Sequence, residues 1–204
     1  MRPMDFVSQT VLALGLAWAS GIRFYAVVFL VGCMGRLGYI TLPSDLALLS
    51  HDWVLIASGV MLVGEFVADK VPAFDSFWDG VQTFVRIPGG ALLAWGAFGD
   101  QTPAAQLAMA IVGGSIAAGT HLGKAGTRAL INHSPEPFSN WLMSFFEDAV
   151  VVAGLWLMHA HPIAFAVLLL LFLLFLVWLL PKVWRALRWV FERLFGPRPA
   201  PEPR

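Results

Sequence analysis

The sequence contains little charge and almost no cysteine. Of its 204 residues only 13% are charged and 58% are hydrophobic, whereas a soluble domain carries roughly 25% charged residues. The formal net charge is zero, which gives no support for nucleic-acid binding. The single cysteine, Cys33, excludes an internal disulfide and a multi-cysteine metal site. The composition therefore indicates a membrane protein with one domain.

Long runs without Asp, Glu, Lys or Arg fill most of the chain, and the longest extends from Ala149 to Pro181. A membrane-spanning helix needs about 20 largely apolar residues. Turn signals between the runs predict helices near residues 6–36, 53–70, 75–98, 104–131, 138–159 and 162–190. We therefore predict an all-α polytopic membrane helix bundle with about six spans. Ser20-Gly21 and Pro88-Gly89-Gly90 predict breaks in its first and third helices.

The predicted domain covers residues 1–195, and a disordered Pro/Arg-rich tail follows at 196–204. Residues 182–195 alternate basic and apolar side chains at helical spacing, which is typical of an amphipathic extension at a membrane surface. The positive-inside rule places this end in the cytoplasm, and six spans place the N-terminus there too. We expect a multi-pass protein of the bacterial inner membrane with both termini cytoplasmic.

Two segments share a short polar pattern, "PAFDSFWDGVQ" and "PFSNWLMSFFE". In each segment three polar positions at i, i+4 and i+7 form one stripe on a helix. Aligning the prolines pairs Asp75 with Asn140, Asp79 with Ser144, and Gln82 with Glu147. Internal repeats are common in transporters, which bind substrate at the repeat interface. The pattern therefore predicts an internal repeat, inverted or otherwise.

Several ionisable residues lie deep in the predicted spans. Arg86 falls roughly 16 Å into the third helix, and Glu147 and Asp148 lie about 14–15 Å past the start of the fifth. Arg23 lies deep in the first helix. Because an ionised side chain at the bilayer centre costs about 2.5–3.5 kcal/mol, we expect these four residues to pair with each other. The full set of predicted substrate- or ion-binding residues is Arg23, Asp75, Asp79, Arg86, His121, Lys124, Arg128, Asn140, Glu147 and Asp148.

Four carboxylates at i, i+4 spacing are weak candidates for holding a divalent cation such as Mg²⁺. They are Glu65, Asp69, Asp75 and Asp79. No other cofactor and no catalytic residue is predicted, because the sequence contains no P-loop and no dinucleotide-binding fingerprint. An enzyme is therefore the less favoured class, and a metal-dependent lipid-modifying enzyme is its best representative.

Three stretches carry a family resemblance: "ASGIRFY", "GEFVADKVPAFDSFWDGVQTFVRIPGGALL" and "THLGKAGTRALINHSPEPFSNWLMSFFED". They resemble bacterial membrane proteins grouped as DUF4126, over about residues 15–160. The resemblance implies a multi-pass membrane fold and supplies no substrate. The polar residues that carry it, together with one proline, are Glu65, Asp69, Pro72, Asp75, Asp79, Arg86, His121, Lys124, Arg128, Glu136, Asn140, Glu147 and Asp148.

Two function classes remain ahead of the enzyme. The first is a transporter or channel for a small ion or solute, in which the arginines hold an anion or a gating ion pair and Asp79, Glu147 and Asp148 take a proton or cation. The second is a non-catalytic scaffold whose charges are assembly pairs. A solvated cleft reaching Arg86 favours transport, and a closed, fully paired cluster favours the scaffold. The expected partners are the lipid bilayer, a small ion or solute and, as an open alternative, further copies of the chain.

Overall fold

A computed structural model describes residues 5–132 and 138–195, which form helices joined by turns. The six α-helices are α1 (Phe6–Arg36), α2 (Asp52–Ala68), α3 (Pro72–Ala97), α4 (Pro103–Ile131), α5 (Phe138–Ala160) and α6 (Pro162–Phe195). A 3₁₀ helix, η1 (Ser44–Ser50), lies between α1 and α2. The predicted all-α fold is confirmed, and the predicted helix bounds agree with these to within a few residues. The tail predicted at 196–204 lies outside the described residues.

Local sequence signals explain where several helices begin. Asp5 caps α1 by accepting a hydrogen bond from the Ser8 backbone N–H at 2.7 Å. Hydrogen bonding from Ser8 also holds the pKa of the Asp5 carboxyl below its usual value. Thr102 caps α4 at the Ala105 N–H, and Pro103 occupies the first helical position, where its missing donor costs nothing.

Helix α1 folds back on itself at Arg23, which leaves the helical conformation with φ −143° and ψ 75°. Ser8 and Leu12 from the first half line the same cavity as Val31 and Met34 from the second half. A straight helix would hold Ser8 and Met34 about 39 Å apart. The two halves are therefore the arms of a hairpin whose tip is Arg23, and both ends of α1 lie at the same end of the bundle.

We call this end of the bundle end A. There the Phe6 ring packs against Phe98 after α3, and Gln9 lies 3.4 Å from Asp100. Asp45 of η1 lies 3.4 Å from Gln106 in the first turn of α4. End A thus holds both ends of α1, η1, the end of α3 and the start of α4. The opposite end, end B, holds the α2–α3 turn, the last turn of α4 and the first turn of α5.

Helix α6 runs from end A to end B, because its residues Leu176 and Val183 pack in turn against Gly123 and Gly126 of α4. The first residues of α1 and the last residues of α6 consequently lie at opposite ends of the bundle. The expectation that both termini are cytoplasmic concerns the membrane and stays a prediction. That expectation assumed a first helix that crosses once, whereas α1 returns to the end at which it starts.

By length and composition alone, four helices among the described residues could cross a membrane, namely α1, α4, α5 and α6, although α1 is folded back at Arg23. The bent pair of η1 and α2, which meet at 65°, makes a fifth if it is counted as one span. These helices indicate a membrane protein, and the predicted count of six and the predicted internal repeat are not confirmed. Helix α3, which carries Asp75, Asp79 and Arg86, falls outside the set.

The break predicted in the third helix is wrong, since α3 continues through Pro88 from Pro72 to Ala97. Residues of α1 and α4 pack closely against Gly89 and Gly90, which follow Pro88 in α3. A side chain at Gly89 would meet the Phe24 ring, and one at Gly90 would meet Ser20 and Ala117. The glycines therefore serve the approach of α1 and α4 to α3 rather than a break in the helix.

The outer surface of the bundle is apolar. Leu170, Leu171, Leu174 and Trp178 of α6 are each more than half exposed. Contiguous apolar surface of this kind is rare on soluble proteins and is the expected face toward lipid.

Candidate functional site

Ten charged side chains form a buried cluster, which we call the charged network. Its bases are Arg23, Arg86, Lys124 and Arg128, and its carboxylates are Glu65, Asp69, Asp75, Asp79, Glu147 and Asp148. All except Asp148 are at most 8% exposed. Helices α1, α3, α4 and α5 and the end of α2 all contribute, so the network joins five segments of the bundle. Groups of this kind persist away from water only when other charges or hydrogen bonds replace their hydration.

Arg23 occupies the centre of the network because the fold of α1 places it at the tip of the hairpin. Its guanidinium forms an ion pair with Asp69, lies 3.4 Å from Glu147 Oε2 and lies 2.9 Å from Asp148 Oδ1. It also donates to the Ser144 hydroxyl at 2.8 Å and to the Ser144 carbonyl at 3.1 Å. One side chain thus connects the tip of α1 with the end of α2 and with α5.

Arg86 is fully buried and lies between two carboxylates. It forms an ion pair with Glu65 of α2 and donates to Asp79 Oδ1 at 3.1 Å. It also lies 3.1 Å from His121 Nδ1, while His121 Nε2 lies 2.8 Å from the Thr83 hydroxyl. Because arginine can only donate, Nδ1 accepts and the ring proton is on Nε2. This geometry assigns His121 to the neutral form.

Lys124 links the hairpin to α3 and α5. Its Nζ donates to the Ile22 carbonyl at 3.2 Å, next to the tip of α1. It lies 3.3 Å from Glu147 Oε2 and 3.5 Å from Asp79 Oδ1. The carbonyl at the end of the first arm of α1 is therefore satisfied by a charged side chain from α4.

Arg128 is the base closest to end B. Its Nη2 lies 3.0 Å from Asp75 Oδ1 and 3.2 Å from Asp69 Oδ2, and its Nη1 donates to the Asn140 carbonyl at 2.9 Å. The Asn132 amide donates to the other Asp75 oxygen at 2.7 Å. The face of α4 that carries His121, Lys124 and Arg128 at i, i+3 and i+7 therefore points its basic residues at carboxylates from α3 and from the end of α2.

The pairing inside the network is incomplete. Glu65 Oε2, Asp79 Oδ2 and Gln82 Oε1 are buried oxygen atoms that accept no hydrogen bond from the described residues. Carboxylates also outnumber bases by six to four, and His121 adds no charge. Each unsatisfied buried acceptor costs about 1–3 kcal/mol of stability. An excess of carboxylates is therefore not expected of a cluster whose role is to stabilise the fold.

All ten residues predicted to bind substrate or ions lie in this region, with Asn140 and His121 in contact with its arginines. Arg23 contacts Glu147 and Asp148, whereas Arg86 contacts Glu65 and Asp79. Three side-chain partners lay outside the predicted sets: the hydroxyls of Thr83 and Ser144 and the amide of Asn132. The polar stripe that contains Ser144 was the available signal for it, while nothing local marks Thr83.

The four carboxylates considered for a divalent cation are instead each in contact with an arginine. Among the residues that the structure describes, no three His, Cys, Asp or Glu side chains come together as metal ligands. The divalent cation stays a prediction.

A cavity of about 180 Å³ reaches the network between α4 and α5, and we call it the α4–α5 cavity. Lys124, Arg128 and Glu147 line it on the inner side. Ile22 at the tip of α1 and Phe172 and Leu176 of α6 complete its walls. The network is therefore accessible from this side, although Arg86 itself is closed off.

Comparison with curated proteins and with solved structures finds no match for the chain. A protein family described as a domain of unknown function, DUF4126, matches residues 10–182. The match spans the hairpin of α1, the whole charged network and most of α6. The chain belongs to the DUF4126 family.

Proposed function

We propose that the protein is a transporter or channel of the bacterial inner membrane that moves a small ion or solute past the charged network. The single observation that carries this proposal is Arg23 at the tip of the α1 hairpin, buried among carboxylates from two other helices. Helices broken inside a bundle and lined by ionisable residues are the recurrent construction of transport sites. The excess of carboxylates supports the uptake of a proton or cation alongside the substrate.

We propose that end B faces the cytoplasm. End B and the last turns of α6 carry Lys70, Lys182, Arg185 and Arg188, while end A carries Arg36 among the described residues. The positive-inside rule favours this orientation. It places the N-terminal end of α1 on the outer side, and the tip of the hairpin then points toward the cytoplasm.

Flux into proteoliposomes tests the transport proposal. Vesicles containing the full-length protein receive gradients of Na⁺, K⁺, chloride or phosphate, and dyes report internal pH and membrane potential. We expect a protein-dependent response to one gradient, reduced about tenfold or more by Arg23→Gln, because the buried carboxylates lose their partner. Arg36→Gln at the surface is the matched control and should retain full flux. Arg86→Gln protein that is folded and transports like the wild type would remove Arg86 from the mechanism.

A scaffold role is the second candidate, and the complete burial of the Arg86 side chain favours it. The guanidinium is 0% exposed and lies between Glu65 and Asp79, as expected of an ion pair that orients helices. The triple variant Glu65→Leu, Asp79→Leu, Arg86→Met distinguishes the two functions, because it replaces the buried ion pairs of Arg86 with apolar side chains. Well-packed apolar replacements of a buried ion pair are often neutral for stability. A scaffold should therefore keep its fold and its assemblies, whereas a transporter should keep the fold and lose flux.

A further inference from the structure

The α4–α5 cavity has a charged inner wall and an apolar outer wall. Lys124, Arg128 and Glu147 form the inner wall, while Met143 and Phe146 of α5 belong to the outer wall. Phe146 is 62% exposed on the face of the bundle that is directed at lipid. The cavity thus joins the lipid-facing surface to the charged network over the width of one helix.

Three hydrogen-bond donors on residues that line the cavity have no hydrogen-bond partner among the described residues: the Thr120 hydroxyl and Nε and Nη2 of Arg128. Nη2 lies 3.0 Å and 3.2 Å from carboxylate oxygens of Asp75 and Asp69, which leaves the Thr120 hydroxyl and Arg128 Nε; these residues are 2% and 1% exposed. The nearest acceptor recorded for Arg128 Nε is Glu147 Oε1 at 3.6 Å, beyond hydrogen-bonding distance. Buried donors of this kind cost about 1–3 kcal/mol each unless an acceptor reaches them. A ligand with acceptor oxygens would satisfy both.

The charged residues of the lining are two bases, Lys124 and Arg128, and one carboxylate, Glu147, so the lining residues alone carry one formal positive charge. Behind the lining, Asp79 contacts Lys124, and Asp69 and Asp75 contact Arg128, so the bases are already partly neutralised. A guanidinium with a free donor favours planar or tetrahedral oxyanions, which it binds through paired N–H groups. The remaining walls are aliphatic and aromatic, which suits a hydrocarbon chain.

We infer that the α4–α5 cavity binds a single-chain amphiphile with an anionic headgroup, either a carboxylate or a phosphate. The headgroup lies against Lys124, Arg128 and Thr120, and the chain leaves past Phe146 and Leu176 into the bilayer. The volume of about 180 Å³ accommodates the headgroup and the first part of the chain, while the remainder stays in lipid. Because carboxylates outnumber bases in the network, we expect the headgroup to bind together with a proton or cation. Binding of the amphiphile does not depend on the proposed function. Only the further step, that the amphiphile is the transported substrate, rests on the proposed function.

Photolabelling locates the site. The full-length protein in detergent is incubated with a fatty acid that carries a diazirine near its carboxylate, irradiated and mapped by peptide mass spectrometry. We expect labels on the segments around Phe146 and Leu176. Val150→Phe fills the cavity and should reduce labelling about tenfold, a loss of about 1.4 kcal/mol in binding. Val152→Phe is the matched control, because Val152 lies on the same helix, is 54% exposed and does not line the cavity. Equal labelling of the two variants overturns the inference.

Competition identifies the headgroup. An unlabelled fatty acid and an alkyl phosphate of equal chain length should displace the label, and the two arms decide between carboxylate and phosphate. The alkylamine and the alcohol of that length should not displace it, and displacement by either overturns the inference. Arg128→Gln should abolish the preference for anions. Should Arg128→Gln fail to fold, Thr120→Val removes the other free donor and should weaken labelling with less disturbance of the network.

The outcomes also separate this inference from the transport proposal. Specific labelling without flux in any vesicle assay removes the substrate role and leaves the binding site. Flux that persists without labelling of the cavity removes the amphiphile and leaves the transporter.

Discussion

Arg86 lies between Glu65 and Asp79, so its removal would leave two carboxylates buried without their base. Arg86→Met should lower the free energy of unfolding by about 3–5 kcal/mol, the usual cost of breaking a buried ion pair from one side. Chemical unfolding in detergent, followed by tryptophan fluorescence, measures this change.

Arg36 provides the comparison, because its ion pair with Asp52 is at the surface with side chains 51% and 67% exposed. Arg36→Met should change stability by less than about 1 kcal/mol. Similar losses in the two variants would mean that Arg86 is hydrated in the folded protein, contrary to its burial.

His121 offers a test of the network that needs no substitution of a charged residue. Its Nδ1 faces Arg86 and its Nε2 faces the Thr83 hydroxyl, so we predict a neutral ring with the proton on Nε2. Nitrogen-15 solid-state NMR of histidine-labelled protein in lipid distinguishes the two neutral tautomers from the imidazolium. His121→Asn assigns the signal, and an imidazolium signal from His121 in the wild type would contradict the geometry.

At the scale of the helices, the boundaries of the helices could be predicted from the sequence, but the positions of breaks within them could not. Turn residues and charge-free runs are local signals, and they located the six α-helices. A break depends on contacts with other helices. Arg23 departs from helical geometry where Asp69 and Asp148 receive its side chain, two residues beyond the Ser20-Gly21 signal. Pro88 stays helical because its neighbouring glycines are pressed against α1 and α4.

Gly21 is a point of close contact between α1 and α4 near the tip of the hairpin. A methyl group there would lie 2.6 Å from the Ala117 carbonyl oxygen and 2.7 Å from Thr120 Cβ. Gly21→Ala should therefore destabilise the protein by about 1–3 kcal/mol through overpacking. Thermal unfolding in detergent measures the loss.

Gly64 is the matched control for this substitution. It also lies inside a helix, α2, but a methyl group there would meet nothing within 4 Å. Gly64→Ala should be neutral or stabilising by up to about 1 kcal/mol, because alanine is the better helix former. If both variants behaved alike, helix propensity rather than close packing would determine the effect at Gly21.

At the scale of the whole molecule, the residues of the candidate site could be predicted but their partners could not. Ionisable groups in the middle of apolar helices must meet one another, so their enclosure follows from the cost of burying charge. The choice of partner depends on how the helices are arranged, and no local pattern indicates this. Glu65 belongs to the network because α2 ends beside Arg86, and only the tertiary fold brings these residues together.

The arrangement of α1 and α6 predicts that the two ends of the chain are on opposite sides of the membrane. Fusions of a reporter that is active only in the cytoplasm, placed at either end, test this. We expect activity from the C-terminal fusion and none from the N-terminal fusion. Activity from both would mean that α1 crosses the bilayer as one straight helix in the cell, against the fold-back at Arg23.

The hairpin of α1 also has a consequence for biosynthesis. Ser144, which accepts two of the hydrogen bonds that Arg23 donates, leaves the ribosome 121 residues after Arg23. At about 5–20 residues per second, this interval lasts roughly 6–24 s. During that time the guanidinium lacks the partners that α5 supplies, so we expect the α1 hairpin to reach its final position only after α5 has been synthesised. Its final insertion therefore belongs to the last stage of assembly, when α5 arrives.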